Sequence, residues 1–299
     1  MVSQESLPVQ GGKLSAVGGP GDGSATIGMS VEENVWIARS RASLGRKYKG
    51  VLFSGLPEAL NDYLHEWTSR LVTGHVGYKD RSILDIGCGY GRLSLPLREK
   101  LPGASLVGLD VSPYYAREYL QNIDRAFSVI SDSVRLPFKK ARFDTIFEVF
   151  SLMYLPDKET YQQTLEEMFY SLKSDGSILI IENSRVGAYF LSGFGISGLL
   201  SRVIGRSLSE GTRGLLFEYR EIDRMIERSG GRVIKKTGMP LFTLLLPFSL
   251  LLGYVSPRLL KIALSILRSV EDKLQILNFL SLYHFYLVRR AEHTDPRTS

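Results

Sequence analysis

The feature that most constrains the fold is a short apolar strand that runs directly into closely spaced glycines. The predicted strand is Ser82–Ile86, and the sequence Asp-Ile-Gly-Cys-Gly-Tyr-Gly occupies positions 85–91. Glycines after a buried strand let the backbone approach a ligand, and they let the next helix direct its N-terminus towards it. The pattern therefore predicts a ligand site at the carboxyl end of a strand in an α/β sheet.

The spacing of these glycines argues against two common phosphate ligands. A dinucleotide-binding turn counted from Gly87 needs its third glycine at position 92, where this chain has Arg92. The turn also lacks the Lys and Ser/Thr of a nucleotide-triphosphate loop. Asp85, ahead of the first glycine, favours a ligand that carries a cationic amine.

A second acid lies 23 residues after Gly87, at the end of the predicted strand Leu106–Asp110. A carboxylate at this position can accept hydrogen bonds from both hydroxyls of a ribose. A helix-capping or turn role for Asp110 is the alternative, and its position relative to the glycine turn makes that alternative weaker.

Strands and helices alternate along most of the chain, which predicts a mainly parallel sheet covered by helices on both faces. The predicted strands are Ser82–Ile86, Leu106–Asp110, Phe127–Ile130, Phe143–Val149, Ser177–Ile181, Arg232–Thr237 and Phe279–Arg290, with a turn at Asp175-Gly176. The predicted helices are Gly91–Lys100, Pro113–Asn122 with Ser112 as N-cap, Lys158–Leu172 with Asp157 as N-cap, and Tyr219–Ser229.

Together with the two acids and the glycine turn, three further segments resemble the class I S-adenosylmethionine-dependent methyltransferases, particularly their small-molecule (type 11-like) members. The segments are residues 131–138, 142–157 and 172–181, in the family's order. The resemblance implies a Rossmann-like seven-stranded sheet with an antiparallel last strand, and S-adenosylmethionine as cofactor. It also implies that the cofactor is lined by Asp85, Gly87, Cys88, Gly89, Asp110, Val111, Asp132, Ser133 and Glu148.

The chain departs from the family in the loop after the fourth of these strands. Met153 and Tyr154 stand where many relatives carry one or two histidines, so a histidine-assisted reaction from that loop is not expected. Glu148 stands where a small polar residue is common, and it can instead be a strand-end acid that faces the methionyl end of the cofactor.

Three residues at strand ends are the acceptor-side candidates for catalysis: Tyr154, Glu182 and Asn183. Each can equally be a turn or cap residue. His284 lies among apolar residues of the last strand and is interpreted as a core or supporting histidine. Methyl transfer needs a general base only for acceptors that are not already nucleophilic, and no metal site is predicted.

The domain organisation follows from composition and pattern. Residues 1–30 are rich in Gly, Ser and Pro and are interpreted as a disordered tail, residues 31–80 as an N-terminal helical cap, and residues 81–299 as the methyltransferase domain. Segments of about 186–215 and 239–278 are apolar and fall where the family places its variable acceptor cover.

The apolar segments indicate a small acceptor that is lipophilic or bulky. Pro257–Leu277 has the pattern of an amphipathic helix with interspersed Arg258, Lys261 and Arg268, which is typical of an interfacial helix or of a lid packed on the domain. No segment has the length and hydropathy of a membrane-spanning helix. Peripheral contact with a membrane stays open, and the oligomeric state cannot be read from the sequence.

Cysteine content indicates the cellular location of the protein, and its charge suggests an alternative function. Residues 186–299 contain 16 Lys or Arg and 9 Asp or Glu, and the single cysteine is Cys88, which favours a reducing, cytoplasmic location. The basic region suggests an RNA methyltransferase as one alternative, although no RNA-binding pattern is present and nucleic acid is not an expected partner. A non-catalytic cofactor-binding subunit is the other alternative.

Overall fold

The computed structural model describes residues 13–15, 36–41, 52, 56–191, 214–271, 273 and 275–291. The first cover segment, about 186–215, therefore lies mostly outside the described residues. The same is true of most of the predicted tail and of parts of the predicted N-terminal cap.

A single mixed sheet forms the centre of the molecule. Its strands are β1 (Lys13–Ser15), β2 (Ser82–Ile86), β3 (Ser105–Asp110), β4 (Phe127–Ile130), β5 (Phe143–Val149), β6 (Leu172–Asn183), β7 (Gly231–Gly238) and β8 (Tyr283–Arg290). They lie in the order β1-β4-β3-β2-β5-β6-β8-β7.

The seven predicted strands are all present, and β1 is a short addition at one edge. The pairs from β4 to β6 are parallel, whereas β8 runs antiparallel to both of its neighbours, β6 and β7. This confirms the predicted Rossmann-like sheet with its antiparallel last strand. β1 lies within the segment interpreted as a tail and pairs in parallel with β4.

Three predicted boundaries in the strands and in the first helix after the glycines were wrong. The turn at Asp175-Gly176 is a bulge inside β6, because Leu172 already pairs with Phe143 before the register shifts. The last strand begins at Tyr283, because Gln275–Leu280 forms a 3₁₀ helix. The first helix after the glycines begins at Ser94, because residues 89–93 form a turn.

Helices cover both faces of the sheet. They are α1 (Glu58–His75), α2 (Ser94–Lys100), α3 (Pro113–Asn122), α4 (Lys158–Ser171), α5 (Arg185–Leu191) and α6 (Glu221–Arg228). Side chains alternate along a strand, so Ile83 points to the face covered by α1 and Leu84 to the face covered by α4. The two predicted N-caps are confirmed, since Ser112 accepts from Tyr115 N and Asp157 accepts from Thr160 N.

The second cover segment folds as a helical hairpin made of α7 (Pro240–Val255) and α8 (Pro257–Glu271). The predicted helix Pro257–Leu277 is therefore shorter than expected. Leu246 and Leu264 bury themselves in the same core cluster as α1, so the hairpin packs beside the sheet rather than standing free. No helix among the described residues is long and apolar enough to cross a membrane.

One buried carboxylate closes the hairpin onto the domain. Glu271, fully buried at the end of α8, accepts hydrogen bonds from Leu241 N (2.8 Å) and Phe242 N (3.0 Å). These are first-turn amides of α7, which have no partner within their own helix. Tyr63 of α1 donates its hydroxyl to the same carboxylate over 3.3 Å, so three helices meet at one side chain.

We expect Glu271→Ala to lower the free energy of unfolding by about 2–4 kcal/mol, because two buried amides and one hydroxyl lose their acceptor. Chemical denaturation followed by circular dichroism measures this. Glu227→Ala, at an exposed position of α6, is the matched control and should change the free energy by less than about 0.5 kcal/mol. Equal effects of the two substitutions would contradict the closing role of Glu271.

Candidate functional site

The glycine turn adopts a backbone that side chains rarely allow. Gly87, Gly89 and Gly91 have φ angles of 67°, 52° and 90°. A Cβ on Gly87 would lie 2.3 Å from the Cβ of Ser151, so the loop after β5 packs directly against the turn. The turn is also tied to β3, because the amides of Gly87 and Cys88 both donate to Leu109 O.

Asp110 is held by backbone amides on both of its carboxylate oxygens. Gly89 N donates to Oδ2 and Ser112 N donates to Oδ1, each over 2.9 Å. The side chain is 8% exposed and lines the pocket above the glycine turn. Each oxygen keeps a further lone pair, so the carboxylate is oriented to accept two hydroxyl groups from a ligand. Burial raises the pKa of Asp110 to about 6, against the opposing effect of the two amides.

Asp85 is the second buried carboxylate of the pocket. Ser94 Oγ donates to its Oδ2 over 2.8 Å, and Tyr119 donates its hydroxyl to Ser94 Oγ over 3.0 Å. Burial raises the pKa of Asp85 to about 7. A cationic group in the pocket would stabilise the ionised form, which is consistent with the amine ligand inferred from the sequence.

Arg92, the residue that replaces the third glycine of a dinucleotide turn, connects the pocket to α1. Its guanidinium donates to Thr68 Oγ1 over 2.9 Å and to His65 Nδ1 over 3.2 Å. Burial and the neighbouring cation lower the pKa of His65 to about 4, so this imidazole is neutral and can accept. Arg92 thus fixes the glycine turn against the N-terminal helix.

Asp132 and Ser133, in the loop after β4, also line the pocket. Asp132 is exposed, and its Oδ1 accepts from Val134 N (3.1 Å) and Arg135 N (3.3 Å). This local turn holds the side chain in place and leaves the other carboxylate oxygen for a ligand donor.

Glu148 lies behind the pocket wall and does not line it. It is fully buried, and its Oε2 accepts from Ser151 N (3.3 Å) and lies 3.1 Å from Ser151 Oγ. Since Ser151 packs on Gly87, Glu148 positions the loop after β5 against the glycine turn. Burial raises the pKa of Glu148 above its usual range.

Aromatic side chains form a further part of the pocket lining. Trp36 and Tyr154 meet edge to face with ring centroids 4.7 Å apart, and Phe150 completes this wall. Trp36 is placed here by its helix (residues 36–41), where Ser40 Oγ hydrogen bonds to Ser112 Oγ over 2.6 Å. Phe150 in turn packs on Tyr283, with centroids 4.6 Å apart.

The structure brings most of the predicted site residues into one pocket. Nine of the twelve line it: Asp85, Gly87, Cys88, Gly89, Asp110, Val111, Asp132, Ser133 and Tyr154. Glu182 is fully buried in the sheet beside Glu148, and Asn183 donates to Met153 Sδ over 3.3 Å, so neither lines the pocket.

Sequence reasoning missed the residues that join the pocket to distant parts of the chain. Trp36, Arg92 and Tyr115 line it, and Ser94 supports Asp85 from α2. No local motif marks them; only the position of Arg92, inside the glycine turn, carried a signal. No histidine within the described residues lines the pocket, and these residues hold no cluster of three or more side chains able to bind a metal.

Comparison with known proteins shows what the central part of the chain is similar to. Residues 83–176 match the family model of a methyltransferase domain. The demethylmenaquinone methyltransferase of Thermus thermophilus is 30% identical over 121 residues, which cover 39% of this chain and 53% of that protein. The sterol 4-C-methyltransferase of Caenorhabditis elegans is 29% identical over 112 residues, or 36% of this chain and 32% of that protein. The chain thus spans about half or less of these relatives.

The fold comparison extends further along the chain. The geranyl diphosphate C-methyltransferase of Streptomyces coelicolor, solved with S-adenosylhomocysteine, matches with a TM-score of 0.53 at 17% identity. This match covers 77% of this chain and 80% of that one. From the strand order, the pocket and the sequence match together, the chain contains a class I methyltransferase domain whose cofactor is S-adenosylmethionine.

Proposed function

We propose that this protein transfers the methyl group of S-adenosylmethionine to a small lipophilic acceptor. The observation that carries the proposal is the mixed lining of the pocket. Buried Asp85 and Asp110 line it together with the aromatic side chains of Trp36, Phe150 and Tyr154. A charged, ribose-bearing donor suits the carboxylates, and an apolar acceptor suits the aromatic side chains.

The residues of the polar part fit the cofactor. We assign Asp110 to the ribose hydroxyls, Asp132 and Ser133 to the adenine, and Asp85 to the cationic amine. The backbone that lies close to the cofactor in this proposal is that of Gly87, Cys88, Gly89 and Val111. When bound, the cofactor supplies an electrophilic methyl group on a sulfonium. Glu148 acts indirectly, since it holds Ser151 against Gly87.

The chain's own contribution to the reaction is to position the reactants and to exclude water. Burial raises the pKa of Tyr154 above its usual value, which disfavours the phenolate form. Burial and the neighbouring Glu148 raise the pKa of Glu182 well above its usual range, which disfavours a carboxylate base at that position. These groups suit an acceptor atom that is already nucleophilic, and we place Glu182 and Asn183 in supporting roles.

The relatives support the acceptor class. The two sequence relatives named above carry a sterol and demethylmenaquinone in their names, and both compounds are largely apolar. Cover segment 239–278 adds a further apolar helical pair beside the domain. We place the reaction in the cytoplasm, on the evidence of a single, buried cysteine.

A labelled-methyl assay tests the proposal directly. Purified protein and cofactor with a labelled methyl group are incubated with aqueous and with lipid extracts of the source cells. Label in the lipid extract is the expected result. Label only in RNA would favour an RNA methyltransferase, and binding of S-adenosylhomocysteine without any transfer would favour a non-catalytic subunit.

We expect Asp110→Asn to weaken binding of S-adenosylhomocysteine by about tenfold to a hundredfold, because an amide cannot accept from both hydroxyls while it faces Gly89 N. Isothermal titration calorimetry measures the affinity. Asp124→Asn, at an exposed position before β4, is the control and should leave the affinity unchanged.

The affinity of the unsubstituted protein should also depend on pH. The pKa values of Asp85 and Asp110 are raised to about 7 and about 6, so both carboxylates ionise as the pH rises through this range. Binding should therefore weaken as the pH falls from about 8 to about 5, where protonation removes the acceptors. An affinity that stays flat over this range would show that neither carboxylate contacts the ligand.

Tyr154 should act through its ring rather than through its hydroxyl. We expect Tyr154→Phe to keep kcat/KM within about threefold, whereas Tyr154→Ala should raise the KM for the acceptor by about tenfold through loss of packing on Trp36. Steady-state kinetics with the acceptor found above measures both. Tyr170→Ala, exposed on α4, is the control. A large loss of kcat in Tyr154→Phe would instead show that the hydroxyl takes part in the chemistry.

A further inference from the structure

The exposed apolar side chains of the protein are concentrated in one stretch. Among the described residues, 15 large hydrophobic side chains are exposed, and ten of them lie between positions 245 and 279. We call these ten the apolar patch: Leu245, Phe248, Leu251, Tyr254, Val255, Leu259, Ile262, Ile266, Ile276 and Phe279. Exposed apolar residues scattered singly are ordinary on soluble proteins, but such a concentration marks an interaction surface.

Eight residues of the apolar patch lie on α7 and α8, and the other two, Ile276 and Phe279, lie on the 3₁₀ helix Gln275–Leu280. On α7, Phe242, Leu246 and Leu250 face the core, whereas Phe248 is 70% exposed and Leu251 is 61% exposed. On α8 the core-facing residues are Leu260, Leu264 and Leu267, and the exposed residues of the patch alternate with them along the helix. One side of the hairpin therefore packs against the core of the domain. A second, outer side is also apolar and is exposed.

The charged residues of the hairpin indicate the chemistry of its partner. Pro240–Glu271 contains three basic residues, and Arg258 and Lys261 among them are exposed. Its one acidic residue, Glu271, is buried where it caps α7. The exposed surface of the hairpin thus carries both apolar and cationic groups and has no acid within this range. An anionic lipid surface complements this combination, whereas a symmetric second copy would bring the same cations together.

The dimensions of the hairpin fit a helix that lies in the membrane interface. α7 has 16 residues and is about 24 Å long, which is less than the ~30 Å hydrocarbon thickness of a bilayer. Phe248 and Leu251 are one turn apart on the outer side of α7, and Leu259 and Ile262 are similarly placed on α8, so both helices can insert side chains while lying flat.

The hairpin is rooted at the edge of the sheet that carries the pocket. It leaves β7 after Gly238, at the carboxyl edge shared by all the parallel strands, and the chain re-enters at Tyr283. Tyr283 packs on Phe150 of the aromatic wall. A lipid-bound hairpin would therefore hold the aromatic part of the pocket close to the bilayer.

We propose that the outer side of α7 and α8 docks on anionic lipid bilayers, where the protein takes its acceptor from the membrane. This inference rests on the proposed function for the acceptor, while the docking itself follows from the hairpin alone. The test is flotation of the full chain with vesicles of phosphatidylcholine, alone or mixed with phosphatidylglycerol. We expect co-flotation with the mixed vesicles and much less with phosphatidylcholine alone.

The double variant Phe248→Ser/Leu251→Ser should reduce co-flotation by about tenfold or more, since two inserted side chains are lost. Tyr78→Ser is the matched control, because Tyr78 is 75% exposed but lies outside the apolar patch. Lys261→Glu should reduce co-flotation with the anionic vesicles, and Lys140→Glu, an exposed lysine after β4, should not. Calorimetry with S-adenosylhomocysteine on each variant verifies that the fold is retained.

Two results would overturn the docking proposal. One is failure of the full chain to float with the mixed vesicles; the other is equal flotation of the apolar-patch variants and their controls. A dimer in analytical ultracentrifugation that the double variant dissociates, without vesicle binding, would assign the patch to self-association instead. The labelled-methyl assay is read separately, so vesicle binding without methyl transfer would refute only the proposed function.

Discussion

The site depends on the fixed orientation of one buried carboxylate. Asp110 accepts backbone amides from the glycine turn and from the start of α3, so two separate loops are set by a single side chain. Because both oxygens are already engaged, the carboxylate cannot rotate away, and its remaining lone pairs point into the pocket. The second fixed point is Ser151, which packs on Gly87 and is itself held by Glu148. The glycine turn and the loop after β5 are thereby fixed against each other.

The donor part of the site could be predicted because its signals are local. The glycines, Asp85 and Asp110 follow buried strands directly, and parallel strands bring their carboxyl ends to one edge wherever the helices lie. Strand alternation and the turn residues likewise predicted the sheet and both side-chain caps. The predicted boundaries failed where the backbone departs from regular pairing, as in the bulge of β6, which leaves no distinct pattern in the sequence.

The aromatic part of the pocket could not be predicted, since its residues are far apart in the chain and meet only through tertiary contacts. Trp36 reaches the pocket because Ser40 bonds to Ser112, 72 residues away. In the sequence, Arg92 is noticeable only because it occupies the position where a dinucleotide-binding turn has its third glycine. In the structure, its guanidinium donates to Thr68 and so joins the turn to α1. Glu182 and Asn183 occupy strand ends as expected, but a strand end can face the core as readily as a pocket, and a sequence does not distinguish the two.

The point where the hairpin joins the sheet bears on how such a protein can change over evolution. Gly238 and His284 are register partners on adjacent strands, so the chain leaves the sheet and returns beside its point of departure. The 45 intervening residues are thus an enlarged strand connection, and their length is not fixed by the pairing on either side. A connection of another length or sequence could therefore replace this one during evolution while the strand pairing and the glycine turn stay as they are.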